Sequence, residues 1–250
     1  MLPGFRVEGR WAFVTGAGRG IGRGCALALA EAGADVVAAS RTLDELEELG
    51  DEIEGLGRRA RALVLDVTDG RAVARAINSL DHVDVVVNSA GGNILEPFVD
   101  VSEEHLDHLL ALNVKGTFLV AQAAARRMIA QGSGGSIINL SSQMGHVGAP
   151  NRTVYCATKH AVEGLTRAMA VELAPHAIRV NSVAPTFIRT PMTAPLFADE
   201  ELRVSLERQI PLGRIGQVED VVGAVVFLAS PAAALITGTS LRVDGGWTAR

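Results

Sequence analysis

The stretch VTGAGRGIGRG, residues 14–24, joins the first apolar run of the chain to the first helical pattern. Ile21 stands where the strict G-x-G-x-x-G pattern has its third glycine, so the pattern present is T-G-x-x-x-G-x-G. Glycines at these positions allow a tight turn and let backbone N–H groups approach a pyrophosphate at the amino end of the following helix. We interpret the stretch as a dinucleotide-binding turn, with a glycine-rich turn that binds nothing as the alternative. Its glycines are Gly16, Gly18, Gly20 and Gly22.

Seven short, nearly continuous apolar runs alternate with longer helical patterns along the chain. Such runs predict strands buried on both faces of a sheet. The repeated strand–helix–strand order predicts parallel pairing with right-handed crossovers. The expected α/β fold is a Rossmann-type doubly wound parallel sheet of about seven strands with helices on both faces, in a single domain over residues 1–250. The predicted strands are 11–15, 35–40, 61–67, 83–88, 136–142, 178–184 and 240–244.

The clearest helical pattern follows the second of these runs. Apolar residues recur there at spacings of three and four, with carboxylates on the opposite face. This periodicity predicts an amphipathic helix that turns all of these side chains toward the core. They are Leu43, Leu46, Leu49, Ile53 and Leu56.

Composition limits the classes of function. The net charge is −5 and no basic tract of the kind that binds nucleic acid is present, so we expect no nucleic-acid partner. No apolar run reaches the length of a membrane span, and residues 1–10 have no apolar signal-peptide core, so we expect no membrane partner. Cys25 and Cys156 form no CxxC pair, and no metal site is expected. A cytoplasmic protein is the expectation.

One segment, residues 189–216, interrupts the strand–helix alternation. Pro191, Pro195 and Pro211 bracket a short charged helical pattern over 198–209. An insertion late in an α/β fold lies near the carboxyl ends of the strands, where ligands bind. We expect this segment to be a substrate lid.

The end of the second strand indicates which dinucleotide is bound. An NAD site usually has an acidic residue there for the ribose 2′-hydroxyl, but this chain has Ser40 and Arg41, and Asp35 lies at the opposite end of the strand. Arg41 and Arg19 can pair with a 2′-phosphate, and Ser40 adds a hydroxyl donor. We therefore expect NADP (NADPH), with NAD as the less favoured cofactor and solvated surface arginines as the alternative explanation.

The strongest catalytic signal is a tyrosine followed four residues later by a lysine. Tyr155 is the only tyrosine, and Lys159 is one of two lysines, the other being Lys115. The helical pattern over 153–174 places Tyr155 and Lys159 on one face. A phenol is a poor acid or base near neutral pH, and an adjacent ammonium lowers its pKa. The pair predicts proton transfer by Tyr155.

Two further polar residues are candidates. Ser142 ends a predicted strand and can donate to a substrate carbonyl beside the phenol, with Ser141 as its rival. Asn113 interrupts an apolar helical pattern. It is either a satisfied residue at a helix kink or a group that holds a water near the site.

Taken together, the motifs resemble those of the classical short-chain dehydrogenase/reductase family over essentially the whole chain. They are TGAGRGIG (15–22), LDVTD (65–69), NSAG (88–91), LNVKG (112–116), Ser142, YCATK (155–159), VNSVAPTFIRTPM (180–192), PLGRIG (211–216) and ITGTSLRVDGGW (236–247). Thr186 departs from the family pattern, in which Pro-Gly is usual at this point of the sequence.

The resemblance implies roles for a catalytic tetrad. Tyr155 would be the general acid/base and Ser142 would polarise the carbonyl. Lys159 would lower the pKa of Tyr155 and bind the nicotinamide ribose, and Asn113 would hold a water of a proton relay. It also implies a homotetramer. In addition to the glycine turn and the two arginines, it implies that the cofactor groove is formed by Asp66, Val67, Asn88, Ala90, Gly91, Pro185, Ile188 and Thr190.

The expected function is NADP(H)-dependent hydride transfer between nicotinamide and a ketone or secondary alcohol. The alternatives are an NAD-dependent sugar, polyol or hydroxy-compound dehydrogenase, a 3-oxoacyl-thioester reductase, and a nucleotide-sensing regulator on the same fold. The substrate is a small carbonyl or alcohol compound whose identity the residues leave open. Candidate pocket residues are Asn93, Met144, His146, Asn151, Phe187 and Met192, with Gln143, Leu196 and Phe197 among their neighbours.

Overall fold

Parallel strands form the centre of the molecule in this computed structural model, which describes residues 4–249. Within those residues, seven strands pair in the order β3-β2-β1-β4-β5-β6-β7, and every pairing is parallel. The predicted doubly wound α/β fold is confirmed. The strands are β1 (Trp11–Thr15), β2 (Asp35–Ser40), β3 (Ala60–Val64), β4 (Val85–Asn88), β5 (Gly135–Leu140), β6 (Ile178–Pro185) and β7 (Ser240–Val243).

Helices cover both faces of the sheet. On β1, Ala12 and Val14 face one apolar cluster while Phe13 faces the other, as strand alternation requires. None of the helices described in residues 4–249 has the length and hydropathy that crossing a membrane requires. The helices are α1 (Gly20–Glu31), α2 (Leu43–Gly55), α3 (Gly70–Asn78), α4 (Glu103–Leu109), α5 (Thr117–Gln131), α6 (Thr153–Leu173), α7 (Ala194–Ala198), α8 (Glu200–Gln209) and α9 (Val218–Ala229).

The expected burial is wrong at the edges of the sheet. β3 is an edge strand with partly or fully exposed residues, and Val64 is 58% exposed, because only β2 pairs with it. In α2, Leu46, Leu49 and Ile53 are buried as predicted, but Leu43 and Leu56 are exposed. Leu43 is the first residue of α2 and Leu56 is its C-cap, so both lie at the ends of the helix.

Residues 189–216, here called the lid segment, contain α7 and α8. A third apolar cluster joins this segment to Met144 and Phe187. The segment contributes Phe197, Leu206, Ile210 and Ile215. Tyr155 packs against the same cluster. The segment therefore contacts the helix that carries the predicted catalytic pair.

Candidate active site

A cleft opens at the carboxyl ends of β1 to β6, the edge where ligands bind in open α/β sheets. It brings together most of the residues that the sequence predicts for a cofactor. Those lining it are Gly16, Arg19, Gly20, Ile21, Gly22, Ser40, Arg41, Asp66, Val67, Ala90, Gly91, Tyr155, Lys159, Pro185 and Thr190.

Two predicted cofactor residues do not line the cleft. The Asn88 side chain is 3% exposed, and its Nδ2 donates to Asn139 Oδ1 at 2.9 Å. Ile188 is buried in the core and forms an isolated parallel bridge with Gly216. Both residues lie at the predicted edge of the sheet, but they are buried beneath the surface of the cleft.

Sequence reasoning missed several residues of the lining. Leu65 and Leu140 lie at or just after strand ends, so their position along the strands could have indicated them. Glu45 comes from the first turn of α2, and no motif marks it. The missed residues are Thr42, Glu45, Leu65, Leu112 and Leu140.

The glycine turn is closely packed against the loop after β4. Thr15 Oγ1 accepts hydrogen bonds from the backbone N–H groups of Ser89 and Ala90 at 3.1 and 3.2 Å. Gly16 has a φ of +65°, and a Cβ there would lie 2.9 Å from the Cα and N of Ala90. A Cβ on Gly22 would overlap the carbonyl oxygen of Gly16. The turn therefore requires glycine at both positions.

The amino end of α1 suits an anionic ligand. Arg19 occupies the N-cap position without a side-chain cap, and the first turn of α1 contains no acidic residue. The first N–H groups of a helix lack intrahelical partners and favour anions. Together with the close-packed glycines, this end of the cleft fits a dinucleotide pyrophosphate.

The part of the cleft beyond β2 carries two arginines without carboxylate partners. Arg19 and Arg41 are exposed, and neither forms an ion pair within residues 4–249. The pKa of Asp66 is lowered, mainly by hydrogen bonds from Thr68 and further by the charge of Arg41. Asp35 lies at the other end of β2, as predicted, where it pairs with Arg58 at 3.0 Å.

Tyr155 and Lys159 lie one turn apart on α6, as predicted, and both face the cleft. Lys159 is 7% exposed, and its Nζ donates to the Leu140 carbonyl at 2.8 Å. Burial lowers the pKa of Lys159 to about 8, while the charge of Glu163 acts in the opposite direction.

The pKa of Tyr155 differs from the expectation. Burial raises it, and this outweighs the lowering by a hydrogen bond with Ser142 and by the charge of Arg152. Lys159 Nζ lies 5.6 Å from the centroid of the Tyr155 ring and bonds instead to Leu140. In this geometry Tyr155 is a protonated phenol near neutral pH, and burial has the largest effect on its pKa.

Ser142, rather than Ser141, contacts the phenol. Ser142 lies near enough to the phenol to lower the pKa of Tyr155, and its Oγ accepts from the Met144 N–H at 3.1 Å. Ser141 Oγ is buried without a partner and lines the cleft next to it. The two alternatives from sequence thus occupy distinct positions.

Asn113 lies in a π-helical segment, Leu110–Gly116, between α4 and α5. Its Oδ1 accepts from the Gly92 N–H at 2.8 Å, and its Nδ2 donates to the Gly92 carbonyl at 2.9 Å and to Thr158 Oγ1 at 3.1 Å. Both amide hydrogens are used. Of the two alternatives, the satisfied residue at a helix distortion describes this side chain.

The predicted substrate residues are dispersed. Met192 lines the cleft, and Met144 and Phe187 are buried in the third apolar cluster. The His146 ring bonds to Ser240 Oγ at 2.9 Å. Asn151 has a left-handed φ of 58°, and its carbonyl accepts from the Glu96 N–H at 3.2 Å. The structure does not place these side chains around one point.

Buried polar side-chain atoms without a hydrogen-bond partner are concentrated in the segments at the carboxyl ends of three neighbouring strands. Apart from Arg127 Nε, all such side-chain atoms in residues 4–249 belong to residues at or just after the carboxyl ends of β4, β5 and β6. Buried polar groups normally have partners, so these unpaired atoms are candidates for contact with a polar ligand. The atoms are Asn88 Oδ1, Asn93 Oδ1, Ser141 Oγ, Gln143 Oε1 and Nε2, and Thr186 Oγ1.

Substitution of Gly16 tests whether the close approach of turn and loop matters for ligand binding. Gly16→Ala should cost about 1–2 kcal/mol through its left-handed backbone and should also abolish dinucleotide binding, since its Cβ would displace Ala90. Gly132 is the matched control: it has a φ of +71° with nothing within 4 Å of an added Cβ. Gly132→Ala should lose similar stability and bind normally in a fluorescence titration. Unimpaired binding by folded Gly16→Ala would contradict this account.

Known proteins resemble this chain over nearly its whole length. Residues 16–248 match the family model described as enoyl-(acyl carrier protein) reductase. The chain is 43% identical to L-xylulose reductase of Bos taurus over 98% of each chain. It superimposes with a TM-score of 0.94 on a putative short-chain alcohol dehydrogenase of Sinorhizobium meliloti, at 45% identity and 98% coverage of both chains.

A further structure is that of a gluconate 5-dehydrogenase of Burkholderia cenocepacia in complex with NADP and tartrate. It aligns at 38% identity with a TM-score of 0.95 and 98% coverage of both chains. These likenesses extend over the glycine turn, the catalytic helix and the closing strand alike. The chain is a member of the short-chain dehydrogenase/reductase family, an oxidoreductase that uses a nicotinamide cofactor to interconvert alcohol and carbonyl groups.

Proposed function

We propose that the protein is an NADP(H)-dependent reductase of a small polyhydroxylated ketone, working reversibly on the matching secondary alcohol. The observation that carries the substrate class is the set of unpaired buried polar atoms in residues at or after the carboxyl ends of β4, β5 and β6, the edge of the sheet where Ser142 also lies. An apolar or singly functional ketone would leave Gln143 and Asn93 unpaired, at a cost of about 1–3 kcal/mol for each buried group. The names of the relatives, a ketose reductase and a sugar-acid dehydrogenase, support the same class.

The cofactor, when bound, supplies or accepts hydride at nicotinamide C4. Tyr155 donates its phenolic proton to the substrate oxygen, and its raised pKa keeps that proton available near neutral pH. Ser142, which contacts the phenol, donates a second hydrogen bond to the same oxygen. Lys159 holds the nicotinamide ribose, and its charge stabilises the phenolate that remains until solvent returns a proton. Asn113 acts by position, since it ties the loop after β4 to α6.

The preference for NADP rests on charge. Arg19 and Arg41 are free to pair with a 2′-phosphate, and the end of β2 has no carboxylate for a 2′-hydroxyl. Two carboxylates, those of Glu45 and Asp66, also line the cleft, and the charge of Arg41 acts on Asp66. The proposal therefore rests on direct pairing of the two guanidinium groups with the 2′-phosphate, and Arg41 directly follows the last residue of β2.

The lid segment and the oligomer complete the proposal. The lid segment closes over the substrate through the apolar cluster that includes Tyr155. We propose a homotetramer, supported by large apolar side chains left uncovered on one chain, such as Val99 at 85% and Leu235 at 99% exposure. A cytoplasmic location is supported by two buried, unpaired cysteine thiols.

Removal of the phenolic hydroxyl tests the proton-transfer role. Tyr155→Phe should lower kcat about 100- to 10,000-fold, the contribution typical of a general acid, while the dissociation constant for NADPH changes little. Stopped-flow and equilibrium fluorescence titrations measure the two quantities. Near-wild-type turnover in the variant would rule out the mechanism.

The cofactor preference is tested at Arg41. Arg41→Ala should raise KM for NADPH about tenfold or more, the effect of losing one charged hydrogen bond, with little change for NADH. Arg75→Ala, an exposed arginine on α3 outside the cleft lining, is the control. A wild-type enzyme that prefers NADH would show the assignment to be wrong.

The substrate class is tested at Gln143, whose two amide atoms are both buried without partners. Gln143→Leu should keep or increase stability, because the unpaired amide is removed. It should lower kcat/KM for four- to six-carbon ketoses about 10- to 100-fold, and it should not lower kcat/KM for an unsubstituted ketone of similar length. An equal loss on both substrates, or a wild-type preference for 3-oxoacyl thioesters, would refute the polyhydroxylated class.

A further inference from the structure

A buried carboxylate lies one helical turn beyond the catalytic lysine. Glu163 is 2% exposed and continues the spacing of Tyr155 and Lys159 along α6. Residues four apart on a helix share one face. The proposed reaction gives this charge no role. Burying a carboxylate costs free energy unless hydrogen bonds or an opposite charge compensate it.

Serine hydroxyls from two strands hold this carboxylate. Ser182 Oγ on β6 lies 3.0 and 2.9 Å from its two oxygens, and Ser240 Oγ on β7 donates to Oε1 at 3.0 Å. Since the Ser240 hydrogen is used there, His146 Nε2 must carry the hydrogen of its 2.9 Å contact to Ser240 Oγ. Hydroxyl donors favour the ionised form of a carboxyl group.

The cations near Glu163 are few. His146 Nε2 is 3.5 Å from Oε1, and no Lys or Arg nitrogen in residues 4–249 lies within the 4.0 Å of an ion pair. β6 and β7 present serine hydroxyls to it, the segment after β5 presents His146, and α6 presents Lys159. Glu163 thus acts on the Lys159 ammonium and contacts the His146 ring, which carries a charge only when it is protonated.

Lys159 in turn lacks a direct counter-ion. Its Nζ bonds to a neutral carbonyl, that of Leu140, and no carboxylate pairs with it in the described part of the chain. Burial favours the neutral amine, and the pKa of Lys159 falls to about 8 although Glu163 opposes the fall. Without that carboxylate, less of the lysine would be charged at neutral pH.

We propose that Glu163 is a positioning residue of the catalytic centre: its buried, serine-held carboxylate supplies the through-space counter-charge that keeps Lys159 an ammonium. It acts through Lys159 and touches neither substrate nor cofactor. Its effect on turnover rests on the proposed function, but its effect on the charge of Lys159 does not.

The direct test is a titration of the lysine side chains. The chain has only two lysines, so protein labelled with ¹³C at lysine Cε gives one signal for Lys159 and one for Lys115 as an internal reference. Glu163→Gln should lower the titration midpoint of Lys159 by about 0.5–1 pH unit and leave that of Lys115 unchanged. Glu172→Gln removes the same charge from an exposed position on α6 and should shift neither signal. An unchanged Lys159 midpoint in folded Glu163→Gln would overturn the proposal.

Activity gives the second readout. Because Lys159 must be charged, the alkaline limb of the kcat/KM profile for ketone reduction should move to lower pH in Glu163→Gln, stay in place in Glu172→Gln, and return toward wild type in Glu163→Asp. If the lysine midpoint moves and the activity profile does not, the counter-charge stands and the role of Lys159 in the proposed function fails.

If Glu163→Gln does not fold, a second variant removes the two serine donors together with the carboxylate. Glu163→Met combined with Ser182→Ala and Ser240→Ala replaces the polar contacts with apolar ones, an exchange that buried polar networks often tolerate. The same fall of the Lys159 midpoint is expected. A midpoint equal to that of wild type would refute the proposal.

Discussion

The parallel register of the central strands is the constraint on which the site depends. It sets Thr15, Asn88, Asn139 and Ser182 opposite one another across β1, β4, β5 and β6. All four are buried. A shift of one residue in any strand would turn its member of this row to the other face of the sheet.

Each member of the row then holds a neighbour in place. Thr15 binds the loop after β4, and Asn88 binds Asn139. Asn139 Nδ2 donates to Thr166 Oγ1, and Ser182 donates to Glu163, both on α6. The helix with the catalytic pair is therefore fastened to the sheet by two buried polar contacts. Breaking one such contact leaves a buried group unpaired at a cost of about 1–3 kcal/mol, so the position of Tyr155 is coupled to the core.

Much of the fold could be predicted from local pattern. Strand runs alternating with helical periodicity are enough to give a parallel sheet, and the glycine turn, Tyr155 and Lys159 carry signals in their own neighbourhood. The ends of helices were harder to predict: Leu43 and Leu56 fit the helical period, yet both lie at the ends of α2 and are exposed. Helical periodicity shows which side of a helix faces the core, but it does not show how far the surface that the helix packs against extends.

The pKa values in the site could not be predicted from the sequence for a related reason. Spacing predicts that Lys159 lies near Tyr155, but burial of the phenol and the carbonyl of Leu140 determine the pKa values, and both come from distant parts of the chain. The same holds for His146, which is close to Ser142 in sequence but bonds to Ser240, 94 residues away. Residue type and spacing identified the chemistry, while the tertiary contacts determined the charge state.

The π-helical segment Leu110–Gly116 has a consequence for how this chain can vary in length. A π-turn holds one residue more than an α-turn, and each residue of an α-helix advances by about 100°. Deleting a single residue there would restore α-helical winding and swing Asn113 away from Gly92 and Thr158. Insertions and deletions should therefore be tolerated in the exposed loops around the sheet but not in this helix, where the count of residues is itself part of the site.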